Sequence, residues 1–447
     1  MKRNVKYIVA GVSILLLYPI TGFCQETEKV WTLNSCIQYA LEKNIQIQQT
    51  QLVSRKKEIA GDQAKSNRYP TLNASVNENL GWNKSVNAGT NKYGNYTGTN
   101  NTGIAVSSSV TLFNGFKLRN TIKQAETDFK ASQYDTKTNE EAVSLSILNA
   151  YLQVLYSRED VMNSQKQIES TEEQLRLAGE RLTLGAISQS EYLQVKSQLA
   201  SEKYTLATAG NQFAIDKVTL MQLMELPVTS KFNLEYPAFG DSVNQHRNPD
   251  SESIYITALA IKPQIKSAGL NLQSAQENVT ITKAGYLPQL SLTGGISSGY
   301  SSELENLAYY YQVGNNISPN VGLTLSIPIY QNNQVSNQVQ TAKLDVENAT
   351  LNMNNTKNVL RKAIEQACVD VVSAEKEYES SREQHTAALE SYQVASEKFD
   401  QGLLSSVDFL VQKTNLIAAE SNVLASKYTL IFSYKTLDFY SGIPLGF

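Results

Sequence analysis

The chain repeats itself, and that limits what it can fold into more than any other feature. Tyr69-Pro70-Thr71-Leu72 recurs as Leu287-Pro288-Gln289-Leu290, 218 positions on, and Leu112-Phe113-Asn114 recurs as Ile329-Tyr330-Gln331 at 217. Gly185 returns as Gly402, and Leu226-Pro227 as Ile443-Pro444, both at 217. Landmarks held at one near-constant offset over such a span define two copies of a single unit. The first repeat occupies 25–235 and the second 251–447. Between them, 236–250 is a linker rich in proline, glycine and aspartate, from Tyr236-Pro237 to Asn248-Pro249-Asp250.

Each unit has the same internal order. Apolar residues at helical spacing (Leu33, Ile37, Leu41, Ile45, Leu52, Ile59) predict a helix from Thr32 to Arg68, stopped by Pro70. Its counterpart runs from Ser253 to Gly285 and stops at Pro288. Two segments of period-2 alternation follow, forming a strand hairpin over 71–113. Leu72, Ala74, Val76, Leu80 and Trp82 alternate with asparagine and serine, and Ile104, Val106, Val110 and Leu112 alternate with glycine, serine and threonine. The second unit repeats this over 289–330, ending at Val321, Leu323, Leu325, Ile327 and Ile329. The joining segments Lys84–Asn101 and Ser301–Asn320 read as solvated loops. A long helical hairpin completes each unit, over 115–226 and 332–440. The stretch from Gly115 to Leu182 contains no proline and at 1.5 Å per residue is roughly 100 Å long. Its apolar seam is thin (Leu145, Leu148, Leu152, Leu155) and its other faces are polar, which suits an extended coiled-coil assembly rather than a globule.

The first 24 residues carry Lys2, Arg3 and Lys6, then an apolar run from Tyr7 to Ile20 and small residues at Gly22 and Cys24. This is the pattern of a signal peptide cleaved between Cys24 and Gln25, with lipid attachment at Cys24 as the competing reading. Formal net charge is −3; without those three cations and with no acid lost, the remainder stands at −6. No Lys/Arg-rich run occurs, so nucleic acid is not an expected partner. Two histidines and three cysteines leave little material for a metal centre or a His-based active site. His246 lies in the linker and His385 on a polar helix, neither beside a nucleophile motif. No cofactor, no metal and no enzymatic activity are expected. Cys36 and Cys368 read as small buried hydrophobes rather than a disulfide pair.

After Gln25 no run of 18 apolar residues appears, so no helix is expected to span a membrane. The four amphipathic strands instead look like barrel staves, with lipid against the apolar face and Trp82, Tyr300 and Tyr309–Tyr311 suited to an aromatic belt. Four strands cannot close, and an open edge is not tolerated in hydrocarbon. Two copies would give eight strands filled by side chains; three would give twelve, wide enough for a passage. The alternative is a periplasmic or surface coiled-coil structural or adaptor protein without a channel, which explains the helices but not the strands recurring in both repeats.

Taken in order, Leu33…Ala40-Leu41…Asn44, Tyr69-Pro70-Thr71-Leu72 and Leu112-Phe113-Asn114-Gly115 resemble the TolC-type outer-membrane efflux proteins. So do the two tip motifs, Gly185-Ala186-Ile187-Ser188…Glu191-Tyr192-Leu193 and Gly402-Leu403-Leu404-Ser405…Asp408-Phe409-Leu410. The resemblance covers nearly the whole chain after the first segment. It implies a mainly α fold with a small β part, in which a trimer builds a twelve-stranded barrel in the outer membrane and a twelve-helix tunnel through the periplasm. It further implies a passive conduit for efflux or type I secretion, driven by an inner-membrane pump through a periplasmic adaptor. The adaptor would dock on the tips: Leu184, Gly185, Ala186, Ser188, Gln401, Gly402, Leu403 and Ser405. By the same resemblance Glu191 and Asp408 line the closed periplasmic aperture. Phe399 stands where the family can carry a hydrogen-bonding tyrosine and Leu404 where it can carry an arginine, so hydrophobic closure competes with a polar lock.

Overall fold

The computed structural model describes residues 30–87, 89–228, 232–237, 248–304 and 306–446. The expected signal segment, with Cys24 and Gln25, and most of the linker lie outside them. In chain order the elements are β1 (Val30–Trp31), α1 (Leu33–Lys43), α2 (Ile45–Ser66), β2 (Thr71–Asn83), β3 (Val86–Asn87), β4 (Lys92–Tyr93), β5 (Thr97–Asn114), α3 (Lys117–Thr183) and α4 (Gln189–Leu223). Then follow β6 (Asn233–Leu234), α5 (Ser251–Ile261), α6 (Pro263–Lys283), β7 (Gln289–Ser301), α7 (Tyr309–Asn315), β8 (Ser318–Ser326), α8 (Gln334–Asp400) and α9 (Ser406–Ser441). No helix among the described residues is long and apolar enough to cross a membrane.

The expected single helix over 32–68 is two helices. The Asn44 side chain accepts from the amides of Gln46 and Ile47, and its backbone turns to extended geometry, so α1 ends and α2 restarts there. The Asn44 amide also donates to Leu223 O at 3.0 Å, which seats the end of α4 against the start of α2. The counterpart over 253–285 is also broken, at Lys262, because Pro263 cannot donate to the preceding turn and its ring favours the first helical position.

The loops hold more structure than their composition suggested. β5 begins at Thr97, well before Ile104, and β3 pairs with β4 in a small hairpin. The segment 301–320 contains α7, whose Gln312 side chain accepts from Ser301 N at 2.9 Å and donates to Ser301 O at 3.1 Å. Gln312 thereby does for the edge of β7 what a continuing strand would do. At the other end β8 stops at Ser326 rather than 329, since Pro328 has no N–H to extend the ladder.

The large sheet has the order β2-β5-β7-β8, antiparallel throughout. Below it α3 and α8 are each 67 residues long, about 100 Å at helical rise. Their packed core is gathered at mid-length, where Ile147, Leu148, Tyr151 and Leu155 meet Leu360, Ile364 and Val371 with Leu220, Met224, Leu430 and Tyr434. Trp31 of the β1·β6 pair and Cys36 join this waist; Cys36 and Cys368 are both buried and are not joined in a disulfide. The buried Lys262 ammonium sits 3.3 Å from the Phe439 ring centre and 3.2 Å from Glu141 Oε2, tying the α5–α6 break to α3 and α9.

The strand-to-helix corner after β5 needs Gly115. Its φ is +66°, and a Cβ there would lie 2.7 Å from Leu287 Cβ and 2.9 Å from Ala284 O of the other repeat. Gly185 has φ +68° but open space around it. Gly185→Ala therefore costs about 1 kcal/mol of left-handed strain, whereas Gly115→Ala adds a backbone clash and costs clearly more. Thermal melts of the two variants in detergent check the order; equal losses would show that the corner relaxes freely.

Candidate functional site

Two regions of the fold hold the residues singled out from the sequence: the sheet and the opposite ends of the helical hairpins. In the sheet the cross-strand registers collect one face. Ala74 opposes Val106, which opposes Ile296; Val76 opposes Ile104; Leu292 opposes Leu323 and Leu290 opposes Leu325. The other face is asparagine, serine, threonine and glycine, including Asn73, Asn77, Ser107, Thr293 and Thr324. On the outermost strands the apolar set is bare: Leu72, Val76, Leu80 and Trp82 on β2, and Val321, Leu323 and Leu325 on β8, are all more than half exposed. Burying a side chain of this size is worth about 1.5–3 kcal/mol, so this face is built for an apolar surrounding. Glu78 interrupts it and is answered by Thr102, whose hydroxyl donates to Glu78 Oε2 at 2.6 Å. The unpaired edges of β2 and β8 flank the sheet.

At the far end, α3 and α8 finish in the same motif. Gly185 N donates to Leu182 O and Ala186 N to Arg181 O; Gly402 N donates to Phe399 O and Leu403 N to Lys398 O. With φ of +68° and +71° at the glycines, these are Schellman caps. Leu184 and Leu403 protrude, 83% and 71% exposed, beside exposed Ala186, Ser188, Gln401 and Ser405. The two tips therefore present similar small, partly apolar, exposed surfaces.

Glu191 and Asp408 follow at equivalent places and have local work. Ser188 Oγ accepts from Glu191 N while Glu191 Oε2 accepts from Ser188 N at 2.8 Å, a reciprocal capping box. Ser405 Oγ caps Asp408 N at 3.2 Å and donates to Asp408 Oδ2 at 2.8 Å. The two acids are not hydrogen-bonded to each other. Phe399 is stacked on Phe409, ring centres 4.7 Å apart and 12° from parallel, with Tyr392 against Phe409 at 5.6 Å.

Several residues at this end escaped the sequence reading. Arg181 donates to the carbonyls of Phe399 and Asp400 and to Asp400 Oδ1 at 3.2 Å, so a cation from one tip caps the helix of the other. Ser406 donates to Gln194 at 2.8 Å. Above them Lys413 and Glu202, both about 95% buried or more, pair at 3.3 Å. Thr171 donates to Glu202 and accepts from Lys413, and Gln198 donates to Glu202 at 3.0 Å. Burial holds the Lys413 ammonium below the usual lysine value, against the opposing pull of Glu202. Lys413 lies on the same face of α9 as the buried Phe409 and Leu416, a charge interrupting an apolar spacing, and only the packing of α3, α4 and α9 shows what it pairs with.

Comparison with known proteins joins these two regions. The family described as outer membrane efflux protein matches residues 36–225 and 254–442, one stretch in each repeat. Outer membrane efflux protein BepC of Brucella suis biovar 1 is 24% identical over 405 residues, covering 91% of this chain and 83% of that protein. Toxin and drug export protein A of Aggregatibacter actinomycetemcomitans is 23% identical over 72% of this chain and 66% of its own length. Among solved structures, the CmeC outer membrane channel of Campylobacter jejuni is similar with a TM-score of 0.77 at 21% identity, covering 98% of this chain and 94% of that one. The outer membrane protein VceC of Vibrio cholerae is similar with a TM-score of 0.74 at 15% identity, covering 92% and 96%.

The buried pair sets a stability test. Lys413→Met strands the Glu202 carboxylate and is expected to cost about 3–5 kcal/mol. Adding Glu202→Gln removes the stranded charge and recovers most of it. Thermal unfolding of the single and double variants decides; equal melting points for the two would mean that the pair is not coupled.

Proposed function

Since the chain belongs to the outer membrane efflux protein family and is a protein of the outer membrane, we propose that it is the passive exit duct of an efflux or secretion pathway. Three copies pool twelve strands into one barrel whose polar lining carries water and solute. The long helices continue that barrel as a twelve-helix tunnel into the periplasm. The observation that carries this reading is the four-stranded sheet, apolar on one face and polar on the other, with an unpaired edge at each side. A lipid-facing sheet must find partners for those edges, and further copies of the same sheet supply them. A coiled-coil structural protein would have no use for four amphipathic strands arranged this way.

The duct itself performs no chemistry, and its energy comes from an inner-membrane pump. The exposed tips, with Leu184, Gly185, Ala186 and Ser188 on one hairpin and Gln401, Gly402, Leu403 and Ser405 on the other, are the surfaces offered to a periplasmic adaptor. Near them Glu191 and Asp408 contribute six carboxylates per trimer at the periplasmic aperture, a ring that attracts cations. Phe399, stacked on Phe409, stiffens the wall behind the ring.

Detergent extraction of the native protein from outer membranes is expected to yield a complex with the mass of three chains. A monomer, or a water-soluble species, overturns the duct. Replacing Leu184 and Leu403 together by aspartate should abolish export in cells while leaving the trimer and its single-channel conductance unchanged; retained export removes the tips from adaptor docking. Glu191→Gln combined with Asp408→Asn should weaken block of single channels by divalent cations, and unchanged block places the constriction elsewhere.

A further inference from the structure

The duplication contains a set of instructions for how one copy meets the next. Positions correspond at an offset of 218 through α2 and β2, and of 217 from β5 onward. The correspondence can be checked inside the chain. It carries Thr71↔Ser109 to Gln289↔Ser326 and Asn79↔Asn101 to Ser297↔Ser318, and both are pairs that β7 and β8 make, without a slip. The β5–β7 ladder and the α3–α6 packing join the first repeat to the second. Their counterparts, β8 with β2 and α8 with α2, cannot be satisfied within one chain, because those strands are the two free edges of the sheet.

We propose that β8 and α8 of one copy receive β2 and α2 of the next copy in the register inherited from β5–β7 and α3–α6. This rests on the trimeric reading above and adds to it the residues that meet. Ser107↔Gly295 transfers to Thr324 of one copy against Asn77 of the next, and Asn101↔Ser301 transfers to Ser318 against Asn83. The full length of β8 is then paired. Val321 falls opposite Leu80 and Leu325 opposite Val76, so bare apolar residues meet on the outer face on either side of Leu323, which falls opposite Glu78. A slip of one residue would turn one strand's apolar set onto the other's asparagine row.

The helices give independent support. Inside the chain Asp128 accepts from Ser274 at 2.5 Å, and Thr127 donates to Glu277 at 3.3 Å. The counterparts of Asp128 and Ser274 are Asp345 and Lys56, an acid and a base. Both are exposed, and neither has an ion-pair partner among the described residues. The counterparts of Thr127 and Glu277 are Leu344 and Ile59, 62% and 61% exposed; one heptad along lie Leu351 and Leu52, 66% and 61% exposed. The same register that matches the strands thus buries four bare apolar side chains in two pairs and matches two unpaired charges. At these positions the join between copies has apolar pairs where the join between repeats has Thr127 with Glu277.

Cysteine pairs test this directly, since the native Cys36 and Cys368 are buried. Thr324→Cys with Asn77→Cys, and Leu351→Cys with Leu52→Cys, should each give disulfide-linked dimers and trimers on non-reducing gels of oxidised outer membranes. Each single variant should give no more than background. Lys56→Asp or Asp345→Lys alone should lower the detergent-resistant trimer several-fold, and the two together should restore it. A trimer by mass that cross-links instead through a displaced pair, such as Thr324→Cys with Asn73→Cys, overturns the register while leaving the trimer intact. A monomer by mass overturns both.

Discussion

A strand edge in hydrocarbon has no water to satisfy its N–H and C=O groups, and each orphan group there costs several kcal/mol. The architecture follows from that one constraint. A sheet that ends at β2 and β8 with its apolar face bare must continue into another sheet. The internal pairing of β5 with β7 is the local solution to the same problem, made possible by having two repeats in one chain. Even the place where β8 falls short of β7 is attended to, with Gln312 of α7 supplying an amide where a strand backbone would have been.

The sequence carried the large-scale plan because that plan rests on periodicity and repetition. The duplication, the long breaker-free helices, the glycines at both tips and the alternation in β2, β5, β7 and β8 are all one-dimensional signals. What it hid depended on contacts across the fold. The break at Asn44 is a side-chain cap, silent in an apolar periodicity count. Pro263 signalled its own break, but the surrounding helical pattern outweighed it. The early start of β5 at Thr97 lay in an Asn/Gly/Thr segment whose composition says loop, and only pairing with β2 and β7 makes it a strand.

The tips show the same division. Gly185 and Gly402 announce helix ends in any sequence, and their Schellman hydrogen bonds follow. The capping roles of Glu191 and Asp408 were implicit in a serine three residues before each. By contrast Arg181, 218 positions from Phe399 and yet bonded to its carbonyl, belongs to a contact between hairpins that no local pattern reports. Lys413 and Glu202 are similar: charged residues on the inward faces of α9 and α4, whose pairing with each other and with Thr171 appears only when three helices pack. The resemblance to known outer-membrane channels located the ends of the hairpins without describing how this chain fastens them together.

The concentration of the apolar core at mid-length has a mechanical consequence. Tyr151 and its neighbours lie near the centre of α3, so an arm of about 50 Å extends from them in each direction. Below this fulcrum the hairpins are joined by thinner, more polar contacts, of the sort that yield at lower free energy than a packed core. A rotation of about 5° at the fulcrum sweeps a tip through about 4 Å over an arm of that length. The helices are thus long arms on either side of a packed waist, and a small angular change there becomes a displacement of several ångströms at a tip.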